Sequence, residues 1–407
     1  MPLVRLMNWN VQTFGPTKGG LLYNNLDIAH AVAKHVVAQR VDIFVMLEMN
    51  TTSHATAESL CEVMLEALQV ESPNNGEWRQ AVLSPNTGRE FYAFFIRDSH
   101  FTTPVPLTGP QTRWGRPPEV LGQMYPIARA EFSVADLTSV GVLGEWFPLL
   151  APDIEELNAM GWPMGVPPWP AIRRPALGLF RVRGARAANA YLPIIPCHFA
   201  AAATTAKEQF NVLPFYTLLA GLAPDAPAAR RRPVVLQIDF KRHTTNYWVF
   251  TGDFNVEYGA FDYARLQGRH RRQLGATAAN SRTNTLLVTY GQYSRTQKNT
   301  WELAVKNLDN FFTRPGNAAA RPVTVTPGTV SDIARDVQTR RLPLRESVRH
   351  YRQLDQRGFD PNPYLGVTWN FADQLTNRTT DINIKGALAG ARLISDHLPV
   401  ILDVTVL

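Results

Sequence analysis

Residues 247–255 read YWVFTGDFN, an apolar run that ends in a polar cluster containing Asp253 and Asn255. A second polar cluster, SDHLPV over residues 395–400, stands just before the apolar run that closes the sequence. Short apolar runs of this kind predict buried strands. A carboxylate or amide at the end of a buried strand is costly in free energy unless it is paired or bound to a cation. Both stretches therefore predict strand ends where polar side chains converge on a pocket.

Two further apolar runs carry polar residues in the same way. Residues 6–11, LMNWNV, contain Asn10, and residues 42–48, DIFVMLE, end in Glu48. A single site of this type has ordinary explanations, such as an Asx-turn at Asp253 or a helix cap at Glu48. Four such sites in one chain indicate an active site.

The order of these motifs resembles that of the endonuclease/exonuclease/phosphatase superfamily, in its deoxyribonuclease I-like branches. The motifs are W-N-V at 9–11, the run ending at Glu48, R-x-P at 173–175, an apolar run ending at His198, G-D-F-N at 252–255, L-D-N at 308–310 and S-D-H-x-P-V at 395–400. The resemblance spans Asn10 to His397, so it implies a single domain over residues 1–407. The extra length is then expected in insertions at about 135–172 and 314–390.

Hydrophobic periodicity predicts strands interleaved with helices, that is, an α/β or α+β protein. Helical spacing covers residues 26–39 and 56–68, and strands are predicted at 91–96, 176–182, 191–196 and 400–406. The resemblance adds the architecture: a four-layer α/β sandwich with two central mixed β-sheets flanked by helices.

The resemblance also implies a divalent cation. Hydrolysis of a phosphodiester requires screening of the phosphate charge, and Mg²⁺ held by a few carboxylate and amide oxygens supplies it. Glu48 is expected to be the principal metal ligand, with Asn10 as a ligand or an orienting amide, and Asp396 as a ligand of the metal or of a metal-bound water. Mg²⁺ is the expected ion, with Mn²⁺ or Ca²⁺ as alternatives.

Four residues match the catalytic positions of the family. The resemblance implies that His397 contacts the scissile phosphate as general base or as phosphate stabiliser, roles suited to a group with a pKa near neutrality. Asp309 is expected to fix the tautomer of His397, Asp253 to orient the attacking water, and His198 to face the leaving group.

Three residues are expected to bind substrate phosphate. Asn255 lies two positions after Asp253, so both side chains face one side of an extended segment. Arg173 and Arg174 precede Pro175, and branches of the family place the phosphate-binding arginine at one or the other of these positions. A guanidinium suits the role because it can hold two phosphate oxygens at once.

Charge favours a polyanionic substrate. The chain has a net charge of +7 and basic clusters at 230–232, 241–243 and 269–272, and such clusters bind phosphate backbones without reading sequence. Together with the resemblance, the charge predicts a metal-dependent phosphodiesterase, an endonuclease that cuts DNA with little sequence preference. The alternative is a sphingomyelinase-like enzyme, or a hydrolase of phosphoinositides or other small phosphate esters. A Trp-rich stretch around Trp162 and Trp169 supports this alternative, because it loosely resembles the membrane-engaging aromatic hairpin of bacterial sphingomyelinases.

The cellular location is predicted from what the sequence lacks. The sequence has no run of about 18 apolar residues, the length needed to span a bilayer. The two cysteines, Cys61 and Cys197, allow at most one disulfide. Cleavage of an ordinary signal peptide would remove Asn10. A cytoplasmic protein is expected, or one exported without a conventional signal peptide.

Overall fold

The computed structural model describes the parts of the chain that form two β-sheets and the helices beside the first of them. These are residues 3–19, 21, 26–51, 54–72, 78–83, 90–97, 102–104, 140–142, 176–182, 190–202, 206, 244–245, 247–257, 271–272, 274, 281–289, 292–294, 296–315, 324–339, 341–342 and 384–405.

The first sheet joins the two ends of the sequence. Its strands are β1 (Leu3–Asn10), β2 (Ile43–Asn50), β3 (Trp78–Leu83), β4 (Glu90–Arg97), β15 (Thr324–Val325), β16 (Thr329–Val330) and β17 (Val400–Thr405). Their order is β15-β17-β1-β2-β4-β3, and β16 also pairs with β17. β1 runs parallel to β2 and antiparallel to β17, so the sheet is mixed.

The second sheet contains the strands from the middle of the chain. They are β5 (Thr102–Pro104), β6 (Val140–Val142), β7 (Ala176–Val182), β8 (Ala190–His198), β9 (Thr244–Thr245), β10 (Tyr247–Asp253), β11 (Arg271–Arg272) and β14 (Asp309–Pro315). The order is β11-β14-β10-β8-β7-β5, with β6 on β7 and β9 on β8. β8 and β10 are parallel and β10 and β14 antiparallel. A small sheet pairs β12 (Leu286–Leu287) with β13 (Ala304–Lys306).

The helices pack beside the first sheet. They are α1 (Asp27–Ala38), α2 (His54–Glu71), α3 (Ile333–Gln338) and α4 (Ile384–Ile394), and 3₁₀ turns occur at Ser281–Thr283 and Thr300–Leu303. α1 packs against α2 and α4, and α2 against β2, β3 and β4. Ile28, Val32 and Val36 are buried, because their spacing places them on one face of α1.

The two sheets pack face to face, with contacts between β1 and β10 and between β14 and β17. One hydrophobic core continues through both sheets and the helices. The prediction of a mixed α/β fold with two central mixed sheets is confirmed. The prediction of a fourth layer, helices on the outer face of the second sheet, falls outside the described residues, as do most of the two expected insertions.

The strand register brings the polar strand ends to one edge. β1 and β2 are parallel and pair Asn10 with Leu47, next to Glu48. In the second sheet, Asp253 pairs with His198 on the parallel strand and with Asp309 on the antiparallel strand. Because the sheets pack together, these two groups of side chains face each other.

Cys61 and Cys197 are both buried and free, so neither contributes a disulfide to the fold. Among the described helices, none is long and apolar enough to cross a membrane.

Candidate active site

The Glu48 carboxylate is held on both of its oxygens. Oε1 accepts a hydrogen bond from Asn10 Nδ2 at 2.9 Å, and Oε2 accepts one from the Thr13 backbone N–H at 2.9 Å. Burial opposes ionisation, but His198, the amide of Asn10, His397 and the Thr13 N–H together lower the pKa of Glu48. The carboxylate is therefore kept ionised in a largely enclosed position. A carboxylate that binds a hard cation must be ionised in this way.

A β-bulge aims Glu48 at the site. The pairing of β2 with β4 shifts register between Met46 and Met49, and Glu48 within this shift has φ of +59°. A non-glycine residue in the left-handed region is uncommon, and such residues cluster at functional sites. The bulge frees Glu48 from the regular alternation of the strand and turns its carboxylate toward Asn10.

The G-D-F-N motif forms a tight strand end. Gly252 has φ of +147°, and a Cβ at this position would lie 1.7 Å from the carbonyl oxygen of Cys197, so only glycine fits. Asp253 Oδ1 accepts the backbone N–H of Asn255 at 2.9 Å, which is the Asx-turn considered for this motif. Asn255 Nδ2 donates to the Phe199 carbonyl at 2.8 Å, leaving one hydrogen of this amide for a ligand.

Asp253 lies at the centre of the site. Its Oδ2 is 3.6 Å from His397 Nε2, 3.7 Å from His198 Nε2 and 3.2 Å from Asn10 Nδ2. Burial raises the pKa of Asp253; His397 and His198 lower it, while nearby Asp309 raises it. The Asx-turn and the central position thus coexist, since each uses a different oxygen of the carboxylate.

His397 and Asp309 form a buried pair. Asp309 Oδ2 is 2.6 Å from His397 Nδ1, and the two side chains are 1% and 7% exposed. Burial lowers the pKa of His397, but Asp309, Asp253 and Asp396 together raise it well above its ordinary value of 6.5. With Nδ1 hydrogen-bonded to Asp309, Nε2 points toward Asp253. This is the partnership that the motifs predicted for the two residues.

His198 has a corresponding carboxylate partner, Glu90. Glu90 Oε1 hydrogen-bonds His198 Nδ1, and the Tyr92 hydroxyl accepts the His198 backbone N–H at 3.0 Å. The ring Nε2 lies 3.4 Å from Glu48 Oε1. Burial lowers the pKa of His198, but Glu90, Glu48 and Asp253 raise it above the ordinary value. The site therefore contains two carboxylate–histidine pairs, with Asp253 between their Nε2 atoms.

Oxygen atoms near the histidine pairs fit a divalent cation. Asp309 Oδ1 and Asp396 Oδ1 are buried without a hydrogen-bond partner, and a buried carboxylate oxygen without a partner is costly. Asp253, Asp309 and His397 offer ligand atoms within 4.8 Å of one another. Mg²⁺ prefers oxygen over nitrogen, so the oxygens around Glu48 suit it better than a set containing His397.

Eight of the ten predicted site residues lie together at this edge of the sheets. They are Asn10, Glu48, His198, Asp253, Asn255, Asp309, Asp396 and His397, all linked through the contacts above or, for Asp396, through Oδ1 at 3.9 Å from His397 Nε2. Arg173 and Arg174 lie outside the described residues, so their contact with phosphate stays a prediction.

Three further residues support the site and were not predicted. Glu90 stands directly before an apolar run, as Glu48 stands at the end of one. This position beside a predicted strand is the sequence feature that could have identified Glu90. Ser395 Oγ accepts the His397 backbone N–H at 2.9 Å and donates to the Asn10 carbonyl, joining the first and last motifs. Lys18 is buried and contacts the backbone of Val11 and Gln12, just after Asn10. Nothing in the sequence around Lys18 indicates that it is buried.

Comparisons with known proteins give matches only among solved structures. No protein-family model matches the chain, and no curated protein does. An endonuclease/exonuclease/phosphatase family protein from Bacteroides thetaiotaomicron is 12% identical with a TM-score of 0.47, covering 99% of this chain and 95% of its own. The mannosyl-6-phosphatase Bt3783 of the same organism is 12% identical with a TM-score of 0.46, covering 99% of both chains. D. rerio TDP2, in complex with a single-strand DNA product, is 10% identical with a TM-score of 0.44, covering 100% of both.

Identities of 10% to 12% and TM-scores of 0.44 to 0.47 are too low to transfer an activity. What the chain itself shows is a two-sheet α/β fold in which the polar strand ends are gathered at one sheet edge.

Proposed function

We propose that this chain is a divalent-metal-dependent phosphodiester hydrolase of the endonuclease/exonuclease/phosphatase superfamily, formed as a single domain. The observation that carries the proposal is the arrangement of two carboxylate–histidine pairs, Asp309–His397 and Glu90–His198, on either side of Asp253. Simple structural roles would not require both histidines to turn Nε2 toward the same carboxylate oxygen.

The metal would be held by Glu48 and Asp396, with Asn10 as a further ligand or as an orienting amide. Bound there, a divalent cation neutralises charge on the phosphate. Asn10 donates its amide hydrogens to Glu48 and Asp253, which favours the role of an orienting amide over that of a principal ligand. Carboxylate and amide oxygens suit Mg²⁺, with Mn²⁺ or Ca²⁺ as alternatives.

The chain's own groups would then handle the protons. Asp309 and Glu90 fix the tautomers of His397 and His198, so each ring presents Nε2 to the space around Asp253. Asp253 orients the attacking water, His397 holds a phosphate oxygen, and His198 faces the leaving oxygen. Positioned acid–base groups of this kind contribute roughly 10² to 10⁴-fold in rate.

We further propose that the substrate is DNA, cut internally with little sequence preference. The net charge of +7 favours a polyanion. One basic cluster, residues 269–272, ends in β11, where Arg271 and Arg272 pair with Thr313 and Phe312 on β14. These partners follow Asp309 on the same strand by three and four residues, roughly 10 to 14 Å at the rise of a strand. Phosphate binding beside the site would use this edge.

A substrate panel tests the proposal. Plasmid DNA, single-stranded DNA, RNA, sphingomyelin vesicles and inositol phosphates are incubated with the protein in Mg²⁺ or in EDTA, with Glu48→Gln as the inactive control. Nicked and linearised plasmid in Mg²⁺ alone is the expected result. Hydrolysis of sphingomyelin or inositol phosphates without cleavage of DNA would replace the nuclease with the alternative hydrolase. Undiminished activity in EDTA would contradict the metal mechanism.

A further inference from the structure

Lys18 is a buried lysine beside the candidate metal centre. Only 2% of the residue is exposed. Its Nζ donates to the Val11 carbonyl at 3.0 Å and to the Gln12 carbonyl at 2.7 Å. Burial lowers the pKa of Lys18 to about 7, against the opposing influence of Asp396 and Glu48. A cation so enclosed is costly, which calls for a reason beyond filling space.

The two carbonyls belong to consecutive peptide groups whose other ends face the site. The N–H of the first peptide, on Gln12, donates to Asn10 Oδ1 at 3.0 Å, and the N–H of the second, on Thr13, donates to Glu48 Oε2 at 2.9 Å. In a trans peptide the C=O and N–H point in opposite directions. Lys18 therefore holds the rear of both peptides, while their fronts hold Asn10 and Glu48.

This loop adopts an uncommon backbone conformation. Gln12 and Thr13 have φ of +30° and +50°, in or near the left-handed region that non-glycine residues seldom occupy. Such conformations persist only where the surroundings enforce them. The neighbouring turn is tightly packed as well, since a Cβ on Gly15 would lie 2.7 Å from the Asn50 carbonyl oxygen. The two carbonyl contacts of Lys18 supply part of this enforcement.

We propose that Lys18 is a positioning residue of the metal centre, which orients two successive peptide N–H groups toward Asn10 and Glu48. Hydrogen bonds in such a chain polarise one another, so the Nζ–H donors also strengthen the two N–H donors at the far side of the peptides. The inference rests on the proposed function, because it takes Glu48 as a ligand of the cation and Asn10 as a ligand or as the amide that orients Glu48.

The test measures Mn²⁺ binding to the metal-free protein by calorimetry, without substrate. Lys18→Met keeps the length and apolar body of the side chain and removes its donors; Lys18→Gln removes the charge but keeps an N–H₂ donor. Arg97→Met is the matched control. Arg97 is also a long basic residue with an acidic partner, Asp42, but it lies at the end of β4 away from Glu90 and the site. Glu48→Gln tests the metal centre itself.

We expect Lys18→Met to raise the Kd for Mn²⁺ by roughly 10-fold or more, as is typical when groups that orient metal ligands are lost. Lys18→Gln should fall between it and the wild type, and Arg97→Met should stay near the wild-type value. Hydrogen exchange should show faster exchange of the Gln12 and Thr13 amides in Lys18→Met, with the amides of β1 unchanged.

The outcomes separate the two proposals. Wild-type Mn²⁺ affinity in a folded Lys18→Met, with Glu48→Gln weakened, overturns the role of Lys18 and leaves the proposed function intact. Wild-type affinity in Glu48→Gln overturns the metal centre of the proposed function. Failure of both Lys18 variants to fold would also overturn the inference, because Lys18 would then be a residue of the fold and not of the site.

Discussion

Replacing Asp309 with Asn tests the carboxylate–histidine pair on which the proposed chemistry depends. Asn has nearly the same shape as Asp, so the packing at this buried position is kept. The 2.6 Å contact with His397 Nδ1 loses its charge, and the amide nitrogen of Asn can turn toward the ring and favour the wrong tautomer. Activity should therefore fall while the fold remains.

The size of the loss follows from the hydrogen bond. A bond to a charged group contributes about 1.5–3 kcal/mol, and each 1.36 kcal/mol in the barrier is about tenfold in rate. Turnover should drop by roughly 10- to 100-fold or more, with a smaller change in KM. Plasmid nicking in Mg²⁺ gives the rate. Asp42→Asn is the control, because Asp42 is also buried and is ion-paired with Arg97. Asp42 lies just before the start of β2, at the end of that strand away from Glu48.

The same variant predicts a pH dependence of stability in the metal-free protein. The folded-state pKa of His397 is raised above 6.5, so the folded protein binds this proton more tightly than the unfolded chain. The stabilisation is fully present below the unfolded pKa and is lost as pH rises through the folded pKa. The difference in Tm between wild type and Asp309→Asn should thus be largest near pH 6 and shrink in alkaline buffer.

Two results would refute this reasoning. If Asp309→Asn keeps wild-type turnover, the pair does not serve catalysis. If the difference in Tm grows with rising pH, the charged imidazole is not what Asp309 stabilises. An equal loss in Asp42→Asn would show that the fold, not the pair, limits the rate.

Three other predictions concern metal, leaving group and substrate. EDTA should abolish activity and Mg²⁺ or Mn²⁺ restore it, and Glu48→Gln should remove most of the rate with an unchanged circular dichroism spectrum; full activity in excess chelator would contradict this. His198→Ala should lower turnover by roughly 10²-fold or more in plasmid nicking, and a near-normal rate would mean that His198 has no part in proton transfer. Replacing Arg269, Arg271 and Arg272 together with Ala should weaken binding to all DNA sequences alike and flatten the dependence of log K on log salt by about one unit per lost contact, as measured by fluorescence anisotropy. Hydrolysis of a small chromogenic phosphodiester should be unaffected, and an unchanged salt slope would place the DNA contact elsewhere.

Local sequence was enough to predict the main elements and the positions of the polar strand ends. α1 and α2 coincide with the helical spacing of 26–39 and 56–68 to within a few residues, and β7 covers the predicted 176–182. These features depend on the alternation of apolar and polar side chains, which is a property of neighbours in the chain. Motif order then predicted that Asn10, Glu48, Asp253, Asp309 and His397 share one site.

The partners of these residues were decided by contacts between distant parts of the chain. Glu90 reaches His198 from 108 residues away, and Ser395 reaches Asn10 from 385 residues away. No local pattern encodes such a contact, because it depends on which strands pair and in which register. In the sequence, Glu90 is only an acidic residue before an apolar run, and it was not predicted to be part of the site.

The sequence alone determined which side chains have the chemistry that the proposed phosphodiester hydrolysis needs, and that they stand at the ends of strands. Tertiary structure decided how they point. The left-handed bulge at Glu48 and the loop held by Lys18 are conformations that a non-glycine chain adopts only when packing enforces them. Their energy comes from contacts across the fold, so they cannot be read from propensities that are local by nature.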